Sequence, residues 1–196
     1  MKKIVIATKN QGKLREMRQA FAHLPVEVVA LDAFAEIPEP VEDGATFEEN
    51  ARIKAHAYAL ATHCACVADD SGLEVAALGG APGVHSARFS GTHGDDAANN
   101  EKLVAELAAR GLTQSAADYR CALVFEDTDG TVYTADGRCD GTVRTQPRGE
   151  GGFGYDPYFY VREKSMAELT FAEKDAISHR GRALRALVRQ LEEVLV

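Results

Sequence analysis

The chain has 196 residues, 45% of them hydrophobic, and a formal net charge of −8. That length and apolar content suffice for one well-buried domain, 1–196, with room for two lobes. The acidic balance disfavours nonspecific attachment to nucleic acid or to an anionic membrane, although one local basic site can still hold a phosphorylated small molecule; no apolar run spans a bilayer, and Met1-Lys2-Lys3 carries no cleavable signal pattern.

Lys3 to Ala7 is a short apolar run and reads as a buried parallel-type strand. The polar loop Thr8-Lys9-Asn10-Gln11-Gly12-Lys13 follows. Leu14, Met17, Phe21 and Leu24 then repeat at helical spacing, which predicts a helix from Lys13 to His23. In a strand–loop–helix unit the first-turn amides can face an anion, with Lys9 and Lys13 adding charge. An ordinary turn reads the same way, and the stretch is not a Walker A loop, because Leu14 stands where Ser or Thr must follow the lysine. Val26 to Leu31 reads as a second strand. The acidic stretch to Gly44 holds Glu36, Glu39, Glu42 and Asp43; nothing in its pattern says which of these, if any, reaches a metal.

Thr46-Phe47-Glu48-Glu49 fits a capping box opening a helix to Ala61. At about 100° per residue, Asn50 and Lys54 fall inside its apolar sector, either snorkelling at an edge or forming a polar ridge that faces a ligand. Cys64-x-Cys66 beside His63 is a weak metal candidate; no C-x-x-C pair is present, and the four cysteines read rather as reduced structural thiols and the protein as cytoplasmic. Cys66-Val67-Ala68-Asp69-Asp70-Ser71-Gly72 reads as a buried strand that breaks at Ser71-Gly72. Its two carboxylates suit a hard cation or a proton taken from water, or simply cap a turn.

Arg88 suits a phosphate or a carboxylate partner, and Asp95 and Asp96 open a helix to Arg110 as structural, dipole-matched residues. Tyr119 to Glu126 reads as a strand, with a hairpin partner from Thr131 to Ala135 and a separate strand from Arg138 to Arg144. Four glycines between Gly149 and Pro157 would let backbone approach a ligand, with Phe153 or Tyr155 stacking on a base. Capping boxes at Ser165–Glu168 and Thr170–Glu173 precede a short helix, Ala172 to Ile177. Ser178-His179-Arg180-Gly181 interrupts it before a last helix with Leu184, Leu187, Val188, Leu191 and Leu195 on its core face. Lys174, His179 and Arg180 gather donors at that junction.

Six motifs then stand in order: Thr8-x-Asn10-x-Gly12-Lys13, Thr46-Phe47-x-Glu49-Asn50-Ala51, Ala68-Asp69-Asp70-Ser71-Gly72, Ser86-Ala87-Arg88, Gly152-Phe153-Gly154-Tyr155-Asp156-Pro157, and Lys174 with Ile177-Ser178-His179-Arg180-Gly181. Each is weak alone. The ordered set covers nearly the whole chain and resembles the inosine triphosphate pyrophosphatase family, which hydrolyses non-standard purine nucleoside triphosphates.

The resemblance implies an elongated α/β fold, with a long mixed β-sheet, flanking helices and two lobes around a central cleft, and a homodimer that binds neither nucleic acid nor membrane. It implies hydrolysis of ITP, dITP, XTP and dXTP to monophosphate and pyrophosphate with Mg²⁺. Thr8, Lys9, Asn10, Gln11, Gly12 and Lys13 would bind triphosphate with Lys54 nearby, and Ser71 would contact substrate. Glu42 and Asp70 would hold the metal, with Asp69 a further candidate, and Asp70 would be the general base. Phe153, Gly154, Tyr155, Asp156, Lys174, His179 and Arg180 would hold the nucleoside end. Donors on His179 and Arg180 suit a 6-oxo group and oppose the 6-amino group of adenine. The competing readings are a Maf-like pyrophosphatase for other modified nucleotides and a non-catalytic nucleotide-binding module.

Overall fold

A continuous apolar run, Ile4-Val5-Ile6, builds the sheet from its first strand. In the computed structural model, which describes residues 1–195, β1 (Lys2–Ile6) pairs in parallel with β2 (Val26–Ala30) and β3 (Ala65–Val75). Ile6 thereby lies opposite Ala30 and Val67. The two crossovers contain α1 (Gln11–Phe21) and α2 (Phe47–Thr62). After α3 (Asp96–Ala108) come two long strands, β4 (Gln114–Glu126) and β5 (Val132–Arg144), and two short ones, β6 (Phe159–Val161) and β7 (Lys164–Ser165). Both β5–β6 and β6–β7 are antiparallel, so the seven-stranded sheet, ordered β2-β1-β3-β4-β5-β6-β7, is mixed. The chain closes with α4 (Phe171–Ile177) and α5 (His179–Leu195). The expected α/β class is correct; Val196, the last residue of the expected 1–196 domain, lies outside the described residues.

The chain divides into two compact units. Met1–Asp70, Cys121–Gly137 and the C-terminal segment from Arg180 form the first, and Ser71–Arg120 with Arg138–His179 the second. In the first, period-two alternation sends Ile4, Ile6, Ala65, Val67, Leu123 and Phe125 into one cluster with α1 and α5. Val5, Ala7, Cys66, Ala68 and Val124 enter another with Ala51, Ala55 and Tyr58 of α2. The second unit packs Leu73 and Val75 with Leu103 and Leu107 of α3 and with Tyr119, Cys139, Val143, Tyr155 and Phe159.

Three expectations need correction. The strand expected to break at Ser71-Gly72 runs on to Val75. Leu73 and Val75 are fully buried, and each contributes about 1.5–3 kcal/mol, more than the roughly 0.5–1 kcal/mol that a strand glycine costs. The segments expected as a hairpin partner and a separate strand are one strand, β5. And α1 starts at Gln11, before Lys13, because Asn10 Oδ1 accepts from Lys13 N at 3.1 Å as its N-cap. All three capping boxes or caps read at Thr46, Ser165 and Thr170 are formed.

Candidate functional site

Because β3 alternates, its two neighbouring aspartates leave on opposite faces. Asp69 follows Val67 toward α1 and α5, and Asp70 follows Ala68 toward α2. On the first side Asp69 Oδ1 pairs with Lys13 Nζ at 2.5 Å. Its Oδ2 accepts from Arg180 Nε at 3.0 Å and from the Cys121 thiol at 3.5 Å. Arg180 Nη1 in turn reaches Glu16 Oε2 at 2.8 Å. Glu16, Arg180, Asp69 and Lys13 thus alternate in sign through the interior. Burial alone would raise the Asp69 pKa. Lys13, then Arg180 and Lys54, outweigh it and hold this carboxyl well below the usual carboxylate range.

On the other side Asn50 Nδ2 donates to Asp70 Oδ2 at 3.1 Å, while Lys54 Nζ lies 2.8 Å from Glu42 and 3.6 Å from Asp70. Burial dominates at Asp70 and raises its pKa, against the pull of Lys54 and Lys13 and with help from Asp69 and Glu42. At Lys54 burial opposes the charge, but Asp70 and Glu42 together raise its pKa. Lys54 shares its charge between two carboxylates, so neither is fully compensated. The two adjacent aspartates are thus shifted in opposite directions, Asp69 toward the charged form and Asp70 toward the protonated one. An ion-pair hub on one face of β3 thus adjoins, on the other, a carboxylate with raised proton affinity.

The Asn50–Lys54 ridge read from the helical pattern faces this cluster. Asn50 Oδ1 accepts from Gly44 N at 2.8 Å, so one side chain ties Asp70 to the loop carrying Glu42. A Cβ on Gly44 would stand 2.7 Å from that Oδ1, which is why the close approach needs glycine. The structure also separates two glutamates that the sequence left equivalent. Glu39 pairs with exposed Lys9 at 2.8 Å, whereas Glu42 shares Lys54 with Asp70. Among the described residues no three His, Cys, Asp or Glu side chains converge as a metal cage. Two hard carboxylates that already share one cation still fit Mg²⁺, which is held by one or two protein carboxylates plus substrate phosphates. Asp69, with both oxygens engaged by Lys13, Arg180 and Cys121, does not fit as a direct ligand.

At the end of β1, Thr8 Oγ1 accepts from Asn10 N at 3.1 Å and Asn10 caps α1. Gln11 and Gly12 occupy the first turn, and the ammonium of Lys13 is held by Asp69 at that helix end. Arg180, expected among the nucleoside contacts, has its Nε and Nη1 on Asp69 and Glu16 and is 2% exposed.

The second unit holds its own polar network, centred on Asp156. Its Oδ2 accepts from Lys174 Nζ at 2.7 Å and from Phe153 N at 3.0 Å, and its Oδ1 from the Tyr119 hydroxyl at 3.2 Å. Lys174 Nζ also lies 4.5 Å from the Phe153 ring centroid. The ring of His179 stacks on Tyr119. Tyr155 donates to Ser86 O at 2.7 Å, while Gly154 is bound from both sides by α3, through Asp96 Oδ2 and Asn100 Nδ2. Ser71, half-buried on β3, also belongs to this unit.

Of the glycines expected to let backbone approach a ligand, Gly149, Gly151 and Gly152 lie against atoms of the protein itself, whereas a Cβ on Gly154 would meet nothing within 4 Å. Gly152 has φ +73° and a Cβ there would fall 2.1 Å from Asp156 Oδ2. Gly152→Ala should therefore cost about 1–3 kcal/mol, read as a lower urea midpoint, and should displace Asp156.

The Ham1 family pattern matches residues 4–190. The chain belongs to the Ham1 family. Among Ham1 relatives, the dITP/XTP pyrophosphatase of Syntrophobacter fumaroxidans is 52% identical over 194 residues, 98% of this chain and 83% of that protein. The dITP/XTP pyrophosphatase of Streptomyces coelicolor is 48% identical over 199 residues, with both chains fully covered. The solved HAM1 protein from Coxiella burnetii superposes with a TM-score of 0.89 at 39% identity, covering 99% of this chain and 100% of that one. A nucleoside-triphosphatase (dITP/XTP pyrophosphatase) from Mycobacterium abscessus gives 0.74 at 45% identity, covering 96% and 99%.

In this Ham1 chain, sequence reasoning missed Glu16, Cys121, Tyr119 and Asn100. Glu16 left one signal, a glutamate set against the apolar Leu14 and Met17 positions of α1, but no partner could be named for it. Tyr119 read only as a strand aromatic.

Proposed function

We propose that this protein hydrolyses non-standard purine nucleoside triphosphates (ITP, dITP, XTP and dXTP) to the monophosphate and pyrophosphate. The observation that carries the reading is the divided aspartate pair. Asp70 is a carboxylate with raised proton affinity, held by Asn50 and set beside Lys54, while Asp69 is neutralised by Lys13 and Arg180. The names of the Ham1 relatives support the same activity.

In this mechanism Asp70 takes a proton from water, the water oxygen bonds to the α-phosphorus, and the α,β-bridging P–O bond breaks to release pyrophosphate. Thr8 to Lys13 orient the triphosphate, and Lys13 and Lys54 offset charge growing on the leaving group. Glu42 and Asp70 would hold Mg²⁺, which when bound neutralises phosphate charge and lowers the pKa of water. The nucleoside end is assigned to Phe153, Gly154, Tyr155, Asp156, Lys174 and His179, with Ser71 contacting substrate. Arg180 is assigned to orienting Asp69, because its guanidinium already serves Asp69 and Glu16. Residues 1–196 act as one functional domain, since β3, β4 and β5 each supply residues to both units. Cys64, Cys66, Cys121 and Cys139, none of them in a disulfide, suit the reducing cytoplasm, and the family resemblance supports a homodimer.

The test is pyrophosphate release from ITP, XTP, dITP, GTP and ATP, with Mg²⁺ and with EDTA. Cleavage of ITP, XTP and dITP well above GTP and ATP, abolished by EDTA, is expected. Equal cleavage of ATP would overturn the base selection, and full activity in EDTA the metal assignment. No release from any of them would leave the binding-module reading.

A further inference from the structure

Tyr119 has no place in the chemistry above, yet it joins two groups assigned to the nucleoside end. The residue is 6% exposed on β4. One neighbour is the His179 ring, with centroids 4.6 Å apart and planes 19° apart, and another is Phe159 at 4.3 Å. Its hydroxyl donates to Asp156 Oδ1 at 3.2 Å, while the other oxygen of Asp156 receives Lys174 and the Phe153 amide. A single buried ring therefore fixes the plane of His179 and, through Asp156, the position of the Lys174 ammonium and the Phe153 backbone.

We propose that Tyr119 is a specificity-determining positioning residue, holding His179 and the Asp156–Lys174–Phe153 set in one rigid arrangement that recognises a 6-oxopurine. This rests on the assignment of those residues to the base. Discrimination between a 6-oxo acceptor and a 6-amino donor depends on donors held in place, because a donor free to swing meets either group at little cost. The stack limits rotation of the His179 ring. The hydroxyl couples that ring to the carboxylate from which Lys174 hangs. Both links act on residues assigned to the base, so the effect belongs to the base and not to the phosphates.

Tyr119→Phe keeps the stack and removes only the hydroxyl. The expected result is a KM for ITP raised about 3–10-fold, less than a charged hydrogen bond ordinarily contributes because 3.2 Å is long. With kcat within about twofold, the ITP/ATP ratio of kcat/KM should fall by the same factor. Inhibition by inorganic tripolyphosphate, which has no base, should be unchanged. Tyr119→Leu, which removes the stack as well, should move the ratio further in the same direction.

An unchanged ITP/ATP ratio in the Phe variant would overturn the proposal. So would an equal weakening of tripolyphosphate, which would mark a general structural loss. If the unsubstituted enzyme failed to prefer ITP over ATP, the functional reading itself would fail, a result separable from the first two.

Discussion

Asp70→Asn is expected to lower the rate of pyrophosphate release from ITP about 10²–10⁴-fold, the contribution of a positioned general base, without loss of folded stability. The asparagine oxygen can still accept from Asn50 Nδ2, and Lys54 retains Glu42. The sign of the stability effect follows from the raised pKa of Asp70, whose largest cause is burial. A carboxyl with a raised folded-state pKa favours the fold below its ordinary value, and that advantage is lost as pH rises through the folded pKa. At neutral pH its charge is therefore a net cost, which the amide removes. Urea unfolding at pH 7 should show the variant as stable as the parent or slightly more so.

In the parent enzyme kcat/KM should rise with pH as the Asp70 carboxyl ionises. Near-normal turnover of the Asn variant would remove Asp70 from the base role. Full loss of activity together with unfolding would make it a structural residue.

Asp69→Asn should do the reverse, costing about 3–5 kcal/mol of stability, the usual penalty for removing one partner from a buried ion pair. Lys13 and Arg180 would then face an amide, and Arg180 would retain only Glu16 among the carboxylates of this chain of charges. Burial pushes the Asp69 pKa up, but Lys13 and Arg180 bring it well below the ordinary range. Its contribution is therefore present above the ordinary carboxylate value of about 3.9 and lost as pH falls through the lower folded value. The difference between parent and variant should be flat from about pH 5 to 8 and shrink only in strong acid. Urea midpoints across that range measure it.

Arg180→Met should cost a similar amount, and the double variant less than the sum, because both changes break the same contact. Activity of Asp69→Asn should fall as well, through a higher KM, since Lys13 at the start of α1 loses its anchor. Additive losses would show that the two residues act independently.

These two outcomes differ although the residues are adjacent, and the difference was only half readable in advance. Strand alternation in Val67-Ala68-Asp69-Asp70 implies that the aspartates leave on opposite faces. It does not say what lies on either face. Asn50 and Lys54 were visible as a polar ridge, because helical spacing sets their direction within α2 itself. Glu42 could not be preferred to Glu39 until Lys54 was seen to reach one and Lys9 the other. The Tyr119 contacts with His179 and Asp156 left no local trace, since neither partner lies near it in the chain.

Interactions closed within a few residues were settled by the sequence itself. The capping boxes at Thr46, Ser165 and Thr170 and the apolar face of α5 depend on backbone geometry that repeats every turn, and the continuous apolar run of β1 marks a strand covered on both faces. The ordered motifs likewise carried the family. Only the tertiary structure decided that β3 continues past Gly72, because the burial of Leu73 and Val75 comes from α3 and the later strands. It also placed Arg180, 111 residues from Asp69 and 164 from Glu16, in the ion-pair hub. A buried charge is tolerated only where an opposite charge meets it. Which residue does so is decided by chain paths that no local pattern encodes.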